Sequence, residues 1–164
     1  MFGTPDGEFR VEETSTSVKS LLLLDDYIQY YMRPGSLLMI DEPELNLHLE
    51  KQRALVRLLA QIVNKTGAGV AISTHSDTVV REMNSLIAFG ANPSRFHEIM
   101  EKHGYVTDEC LDAAAVACGV VENGGLDQMP VTARGGFYIR SFDSTIEQIS
   151  AVQSDIVRQW NDED

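Results

Sequence analysis

Residues 36–44 read Ser-Leu-Leu-Met-Ile-Asp-Glu-Pro-Glu, a short apolar run that ends in charged residues. A continuous apolar run of this length is typical of a strand that is buried on both faces, as in parallel sheets. Asp41 and Glu42 then stand at the carboxyl end of the strand, where open α/β sheets gather their functional groups. We therefore expect a parallel sheet with two adjacent carboxylates at its edge.

A second strand of the same kind follows after one helix. Apolar residues at helical spacing predict a helix over about 48–65, which ends before Gly67 and Gly69. Its predicted buried stripe is Leu55, Leu58, Leu59 and Ile62. Residues 70–72 predict the second buried strand, and the polar residues 73–77 close it. A further helix, with apolar Val79, Val80, Met83, Leu86 and Ile87, completes the strand–helix order of a parallel α/β sheet.

The segments before this unit carry weaker signals. Four consecutive hydroxyl residues, 14–17, precede an apolar segment and predict the start of a helix over about 18–31, because their side chains can accept from the unpaired N–H groups of a first turn. Pro34 and Gly35 would end this helix. Residues 8–12 alternate between charged and apolar side chains and could form a short strand.

The last third predicts a different arrangement. Asn92-Pro93 is expected to start a helix that Gly104 ends. The sequence Glu-Asn-Gly-Gly at 122–125 predicts a hairpin between strands near 115–121 and 126–132, with a third strand near 136–141. Ser144 to Glu147 match a capping box. The buried stripe of the final helix, to about Trp160, would be Ile146, Ile149, Val152 and Ile156.

Composition limits the class of protein. The 164 residues fit one ordinary domain, and 43% hydrophobic residues predict a globular core. The net charge is −12, from 13 basic and 25 acidic residues. This argues against direct binding of nucleic acid by this segment without a partner, since nucleic-acid phosphates are neutralised by Lys and Arg. The absence of an apolar span or leader suggests a cytoplasmic protein with no membrane contact, in which Cys110 and Cys118 are reduced thiols.

The polar residues that follow the two strands suit phosphate hydrolysis. Asp41 can hold Mg²⁺, generally through its waters, and Glu42 can orient or deprotonate an attacking water. His75 could hydrogen-bond a terminal phosphate. Taken alone, the acids could form a solvated turn and the histidine could be structural. Their occurrence together, at the ends of successive strands, favours the catalytic interpretation.

These residues carry a resemblance to a known family. Residues 36–48 resemble the Walker B and D-loop segment of ABC-class ATPases of the AAA family, of the kind found in SMC-like, RecF-like and overcoming-lysogenization-defect (OLD-like) proteins. Residues 72–77 resemble their switch-histidine loop. The resemblance implies a three-layer P-loop NTPase fold, ATP and Mg²⁺ as cofactors, catalytic Glu42 and His75, and Asp41 on the metal. The D-loop residues would be Asn46, Leu47 and His48.

The resemblance extends to the predicted helix start before the first strand. The segment that begins with Ser15, Thr16 and Ser17 is similar to the serine-rich segment that stands in for the ABC signature in this group. The family implies that these residues contact the γ-phosphate of ATP bound to an opposing subunit. Hydroxyl and free N–H groups at a helix start form an anion site, which agrees with this role.

The sequence lacks a phosphate-binding loop of the Walker A type. The Walker A pattern GxxxxGK[ST] requires a Gly-Lys pair, and the chain has none. In the nearest look-alike, residues 13–20, Glu13 and Val18 replace both glycines, so it is rejected as a Walker A loop. The chain is therefore interpreted as the C-terminal half of an ABC-type ATPase domain. Residues 14–87 would carry the motifs, and residues 88–164 would form an α/β extension with an antiparallel meander and a final helix.

Two hypotheses about function follow. In the first, the chain is part of an SMC/OLD-like ATPase, as a fragment or a split subunit, that is completed by a Walker A half and works as a homo- or heterodimer of nucleotide-binding domains. The family context suggests DNA repair or defence against phage and plasmids, with DNA or a nuclease as an indirect partner. In the second, the chain is a Walker-A-less interaction or regulatory subunit that docks a partner without hydrolysing ATP.

Overall fold

The computed structural model describes residues 2–4, 7–9, 16–122, 124–138, 148 and 150–154. Its α-helices and β-strands are β1 Phe2–Thr4, β2 Gly7–Phe9, α1 Thr16–Tyr30, β3 Leu37–Asp41, α2 Leu49–Thr66, β4 Gly69–Ser73, α3 Asp77–Ala91, α4 His97–Lys102, β5 Cys118–Glu122 and β6 Gly125–Met129. Short 3-10 turns lie at Thr107–Glu109 and Ala113–Ala115. Among these residues, no helix combines the length and apolar character needed to cross a membrane.

A two-stranded parallel sheet forms the centre of the fold. In β3 and β4, Leu37 lies opposite Gly69 and Asp41 lies opposite Ser73. The connecting helix α2 ends at Gly67, whose φ of 69° suits glycine and whose N–H donates to the carbonyl of Val63. The predicted strand–helix–strand unit is confirmed within one or two residues at each boundary.

The sheet has helices on one face only within the described residues. Leu38 is buried beside Leu55 and Leu59 of α2. On the opposite face Leu37 is 59% exposed and Met39 is 74% exposed. Since alternate residues of a strand point to opposite faces, one side of β3 is apolar and is covered by none of the described residues. The prediction of burial on both faces is therefore wrong for this part of the chain, which shows two of the three expected layers.

Helix α2 lies between the sheet and α3. Its buried positions split into two sets, one facing β3 and one facing α3, and together they are Leu55, Val56, Leu59, Ala60 and Ile62. Val56 and Ala60 pack with Val79 and Leu86 of α3. Leu58, predicted to be buried, is exposed. The sequence predicted one apolar stripe on α2, whereas the helix packs on two sides, one against the sheet and one against α3.

The segment after α3 differs from its prediction in two places. Helix α4 starts at His97 rather than at Asn92-Pro93, because residues 93–96 form a turn in which Asn92 Oδ1 accepts from the N–H of Arg95 at 3.1 Å. The predicted hairpin is confirmed, with β5 antiparallel to β6. Instead of a third strand, the described residues show one bridge, between Thr132 and Gly136.

The final helix is only partly described. Residues 148 and 150–154 are helical, in agreement with the prediction. Val152, expected to be buried, is exposed. The capping box at 144–147 and positions 139–141 of the predicted third strand lie outside the described residues, as do Ile146, Ile149 and Ile156 of the predicted stripe.

Polar side chains of α2 hold the segment that follows α4. Arg53 Nε lies 2.7 Å from Glu82 Oε2, and Arg53 Nη2 donates to Tyr105 Oη at 2.8 Å. The hydrogen bond to buried Glu82 raises the pKa of Arg53 above its ordinary value, so the guanidinium stays charged. Arg57 lies over the Tyr105 ring and pairs with Glu109 Oε2 at 2.9 Å. These contacts attach residues 104–109 to the outer side of α2.

Tyr105 is expected to contribute to the alkaline limit of stability. The pKa of Tyr105 is raised above its ordinary value of 10.0, mainly by burial and next by the hydrogen bond with Glu82. The hydrogen bond with Arg53 opposes this shift. The folded chain thus retains a proton that the unfolded chain loses, so the free energy of unfolding falls as pH rises above about 10. Tyr105→Phe should show a smaller fall between about pH 9 and about pH 11. Urea unfolding measures it, and equal falls in the two proteins would refute the linkage.

Candidate functional site

The carboxyl ends of β3 and β4 bring the predicted acids together with a serine. Ser73 is the register partner of Asp41, and its hydroxyl donates to Asp41 Oδ1. The N–H of Glu42 donates to the carbonyl of Ser73 at 3.2 Å and to its hydroxyl at 3.1 Å. Ser73 therefore contacts both acids. Its position as the last residue of the second strand was a signal for this role, but the sequence prediction assigned only the histidine beyond it.

Glu42 and His75 meet at this edge of the sheet. His75 Nε2 lies 3.3 Å from Glu42 Oε1. The His75 side chain is 87% exposed, whereas that of Glu42 is partly buried. The two groups that the sequence selected separately thus meet, directly after Asp41 in the chain. Their catalytic roles stay predictions.

The backbone at Glu42 adopts an unusual conformation. Its φ is +43°, in the left-handed region that costs a residue with a Cβ atom about 1–2 kcal/mol. The following Pro43 further restricts the backbone of Glu42. The paired hydrogen bonds from its N–H to Ser73 hold this conformation. Strain of this kind persists only where the surroundings impose it, and it is frequent at functional sites.

The predicted D-loop residues lie in the turns that lead into α2. The N–H of Leu47 donates to the carbonyl of Glu44 at 3.0 Å, and Asn46 takes a φ of +62°, which asparagine tolerates. Leu47 packs against the core of the sheet, whereas Asn46 and His48 are exposed. His48 precedes the first residue of α2 with an extended backbone.

Glu44 departs from the picture of a solvated acidic turn. It is only 6% exposed, and its Oε1 accepts a hydrogen bond from the hydroxyl of Thr74. Its Oε2 is buried without a hydrogen-bond partner among the described residues. Sequence reasoning named Glu44 and Thr74 as members of their segments but gave neither a role. No sequence pattern distinguishes a buried acid here from an exposed one.

The predicted signature-like segment starts a helix as expected. Thr16 is the first residue of α1, Ser17 follows it, and Ser15 lies outside the described residues. Because residues 16–20 are helical, they form no loop around a phosphate. Of the loop positions of a Walker A pattern over 13–20, residues 16 and 17 are thus helical, and residues 13–15 lie outside the described residues.

The donor set at the sheet edge suits a magnesium ion that is completed by phosphates. Asp41 is exposed and adjoins a serine hydroxyl, and Mg²⁺ binds through one or two carboxylates together with waters and substrate phosphates. No cluster of three or more His, Cys, Asp or Glu side chains in the described part of the chain would hold a metal ion. The sequence assigns such an ion to Asp41, and that role stays a prediction.

A protein-family model matches part of the chain. The family model described as AAA ATPase domain matches residues 6–80, a range that contains both acids and His75. No curated protein and no solved structure matches the chain. The family match supports an AAA-type ATPase domain, for which ATP is the nucleotide and Mg²⁺ the usual ion. Residues 6–80 are thus similar to an ATP-binding and ATP-hydrolysing AAA domain.

Proposed function

We propose that the chain is the Walker B and switch-histidine portion of an SMC/OLD-like ATPase, incomplete without a Walker A half. The observation that carries this proposal is the 3.3 Å approach of His75 to Glu42, one residue beyond Asp41 at the shared edge of two parallel strands. The family match over residues 6–80 supports the ATPase class.

Each of the three side chains Asp41, Glu42 and His75 has a distinct chemical role in this proposal. Glu42 accepts a hydrogen bond from the attacking water and so orients it toward the γ-phosphate. His75 donates to a γ-phosphate oxygen, for which its high exposure leaves room. Asp41 holds Mg²⁺ through water. When bound, that ion offsets the negative charge of the phosphates.

The uncovered parts of the sheet support the need for a second half. Leu37 and Met39 form an exposed apolar strip on one face of β3. In the described residues, β3 and β4 pair only with each other, so each has an edge with unpaired backbone groups. A Walker-A-containing half or subunit would cover this face and continue the sheet. Thr16 and Ser17, with Ser15, would contact ATP across a dimer of nucleotide-binding domains, beside the D-loop residues.

The proposed function also includes a biological role. An SMC/OLD-like ATPase would act in DNA repair or in defence against phage and plasmids. Any contact with DNA would pass through a partner, since the net charge of −12 disfavours direct binding of a polyanion. A nuclease would likewise be an indirect partner. The proposed setting is the cytoplasm.

Reconstitution tests the proposed function. Without backbone groups that cradle phosphates, the isolated chain should bind ATP·Mg²⁺ with a dissociation constant no tighter than about 1 mM by calorimetry. A mixture with a segment that carries GxxxxGK[ST] should hydrolyse ATP, and the segment with its Walker A Lys changed to Ala should not. Micromolar binding by the isolated chain would contradict the proposed incompleteness. Absence of turnover in a stable complex would overturn the ATPase assignment.

The exposed strip of β3 also favours the second candidate, a regulatory subunit. Leu37 and Met39 could dock a partner protein without any chemistry at the acids. In that case the chain would change the ATPase rate of its partner equally well with Glu42 intact or replaced by Gln. The same pair of proteins therefore separates the two candidates.

A further inference from the structure

The two neighbours of His75 are anchored to the turn at Glu44 and to the first turn of α2. We propose that Glu44, Thr74, Ser76 and Gln52, named here the polar bridge, are positioning residues that set the place of His75 and couple it to residues 44–47. This inference rests on the proposed function, because it assigns a reason for holding His75 in place.

The polar bridge runs through consecutive hydrogen bonds. Thr74 Oγ1 donates to Glu44 Oε1 and accepts from the N–H of Ser76 at 3.0 Å. Ser76 Oγ donates to Gln52 Oε1 at 2.6 Å. Gln52 Nε2 in turn donates to the carbonyl of Leu47 at 3.0 Å. Since the N–H of Leu47 donates to the carbonyl of Glu44, the circuit closes on itself.

His75 lies outside this circuit while both of its neighbours lie within it. Ser76 has an extended backbone, with φ −93° and ψ 118°, and its hydroxyl also accepts from the N–H of Val79 in the first turn of α3. The exposed His75 ring approaches Glu42 at 3.3 Å. Its location is therefore governed by the backbone that Thr74 and Ser76 hold, more than by packing of the ring itself.

Glu44 fixes the other end of the circuit. A carboxylate that is 6% exposed has lost its hydration, so the hydroxyl of Thr74 is a strong constraint on where residue 74 can lie. Its second oxygen is buried without a partner among the described residues, which makes any further loss costly. A displacement of the turn at Glu44 and Leu47 would therefore move the chain on both sides of His75.

The first test removes the Thr74 hydroxyl while keeping its shape. In Thr74→Val, the nuclear Overhauser effect between the Glu42 and His75 side chains should weaken, and the Ser76 amide should exchange faster with solvent. Thr74→Ser, which keeps the hydroxyl, should restore both signals. The control Ser85→Ala removes a hydroxyl that donates within α3 to the carbonyl of Arg81, and it should change neither signal.

The second test uses the completed ATPase. Thr74→Val should lower kcat about tenfold and change the KM for ATP less than about twofold, because the misplaced group acts on the reacting phosphate. If Thr74→Val folds poorly, Gln52→Glu replaces it. This variant still accepts from Ser76 but cannot donate to Leu47, and it should lower kcat in the same way.

The outcomes separate this inference from the proposed function. An unchanged Glu42–His75 contact in folded Thr74→Val and in Gln52→Glu would overturn the positioning role, whatever the ATPase assay shows. If the wild-type complex shows no turnover, the proposed function fails, and the magnetic resonance measurements still decide whether the polar bridge places His75. If kcat of a variant falls only in proportion to its folded fraction, the substituted residue has a structural role alone. That result would also overturn the inference.

Discussion

Glu42→Gln is expected to lower the ATP turnover of the completed ATPase by about 100-fold or more, with ATP binding retained. The amide keeps the size of the side chain and one oxygen that can face His75 Nε2, 3.3 Å away in the wild type. It loses the carboxylate that, in the proposed function, accepts a hydrogen bond from the attacking water and orients it. The measurement is single-turnover hydrolysis with the Walker A half supplied, with nucleotide binding followed separately.

The matched control is Glu50→Gln, which removes one negative charge from an exposed position in the first turn of α2. Its turnover should stay within about twofold of the wild type, because exposed charges act weakly at a distance in salt. A Glu42→Gln complex that hydrolyses ATP at the wild-type rate would remove Glu42 from the mechanism.

Gly90→Ala is expected to destabilise the chain by roughly 3 kcal/mol, although alanine normally favours a helix. A Cβ atom at Gly90 would lie 2.1 Å from the carbonyl oxygen of Leu111 and 2.8 Å from its carbonyl carbon. Backbone cannot rotate aside as a side chain does. The segment at Leu111, whose N–H donates to the carbonyl of Leu86 at 3.1 Å, must therefore move away from α3. Urea unfolding monitored by circular dichroism gives the change.

The control for Gly90 is Gly135→Ala. Among the described residues, a Cβ atom at Gly135 would meet only Thr132 Oγ1, at an ordinary 3.8 Å. Its free energy of unfolding should change by less than about 1 kcal/mol. Equal stability of Gly90→Ala and Gly135→Ala would show that Leu111 yields without cost, contrary to the close packing found between α3 and this segment.

The central unit was predictable because its signals are local and periodic. The apolar run before Asp41 predicted β3, the helical spacing predicted α2, and glycine after Lys65 marked the end of that helix. The meeting of Glu42 and His75 also followed from general rules, since parallel strands joined by one helix place their carboxyl ends at one edge.

The features that escaped prediction depend on contacts between distant residues. The hydrogen bonds of Thr74 to Glu44 and of Ser76 to Gln52 cross 30 and 24 positions of the chain, and neither leaves a periodic pattern. The exposure of Met39 could not be foreseen either. A continuous apolar run shows that a strand has two apolar faces, but it does not show which neighbour covers each of them.

The uncovered side of β3 has a consequence for the life of the chain in a cell. Within the part of the chain that the structure describes, Leu37 and Met39 present to water an apolar strip beside unpaired strand edges. Quality-control chaperones and proteases recognise surfaces of this kind. If a separate subunit covers that strip, as in the split form of the proposed ATPase, we expect the steady-state amount of the chain to follow the supply of that subunit. Production of the two would then have to be balanced, and any surplus would be removed by degradation.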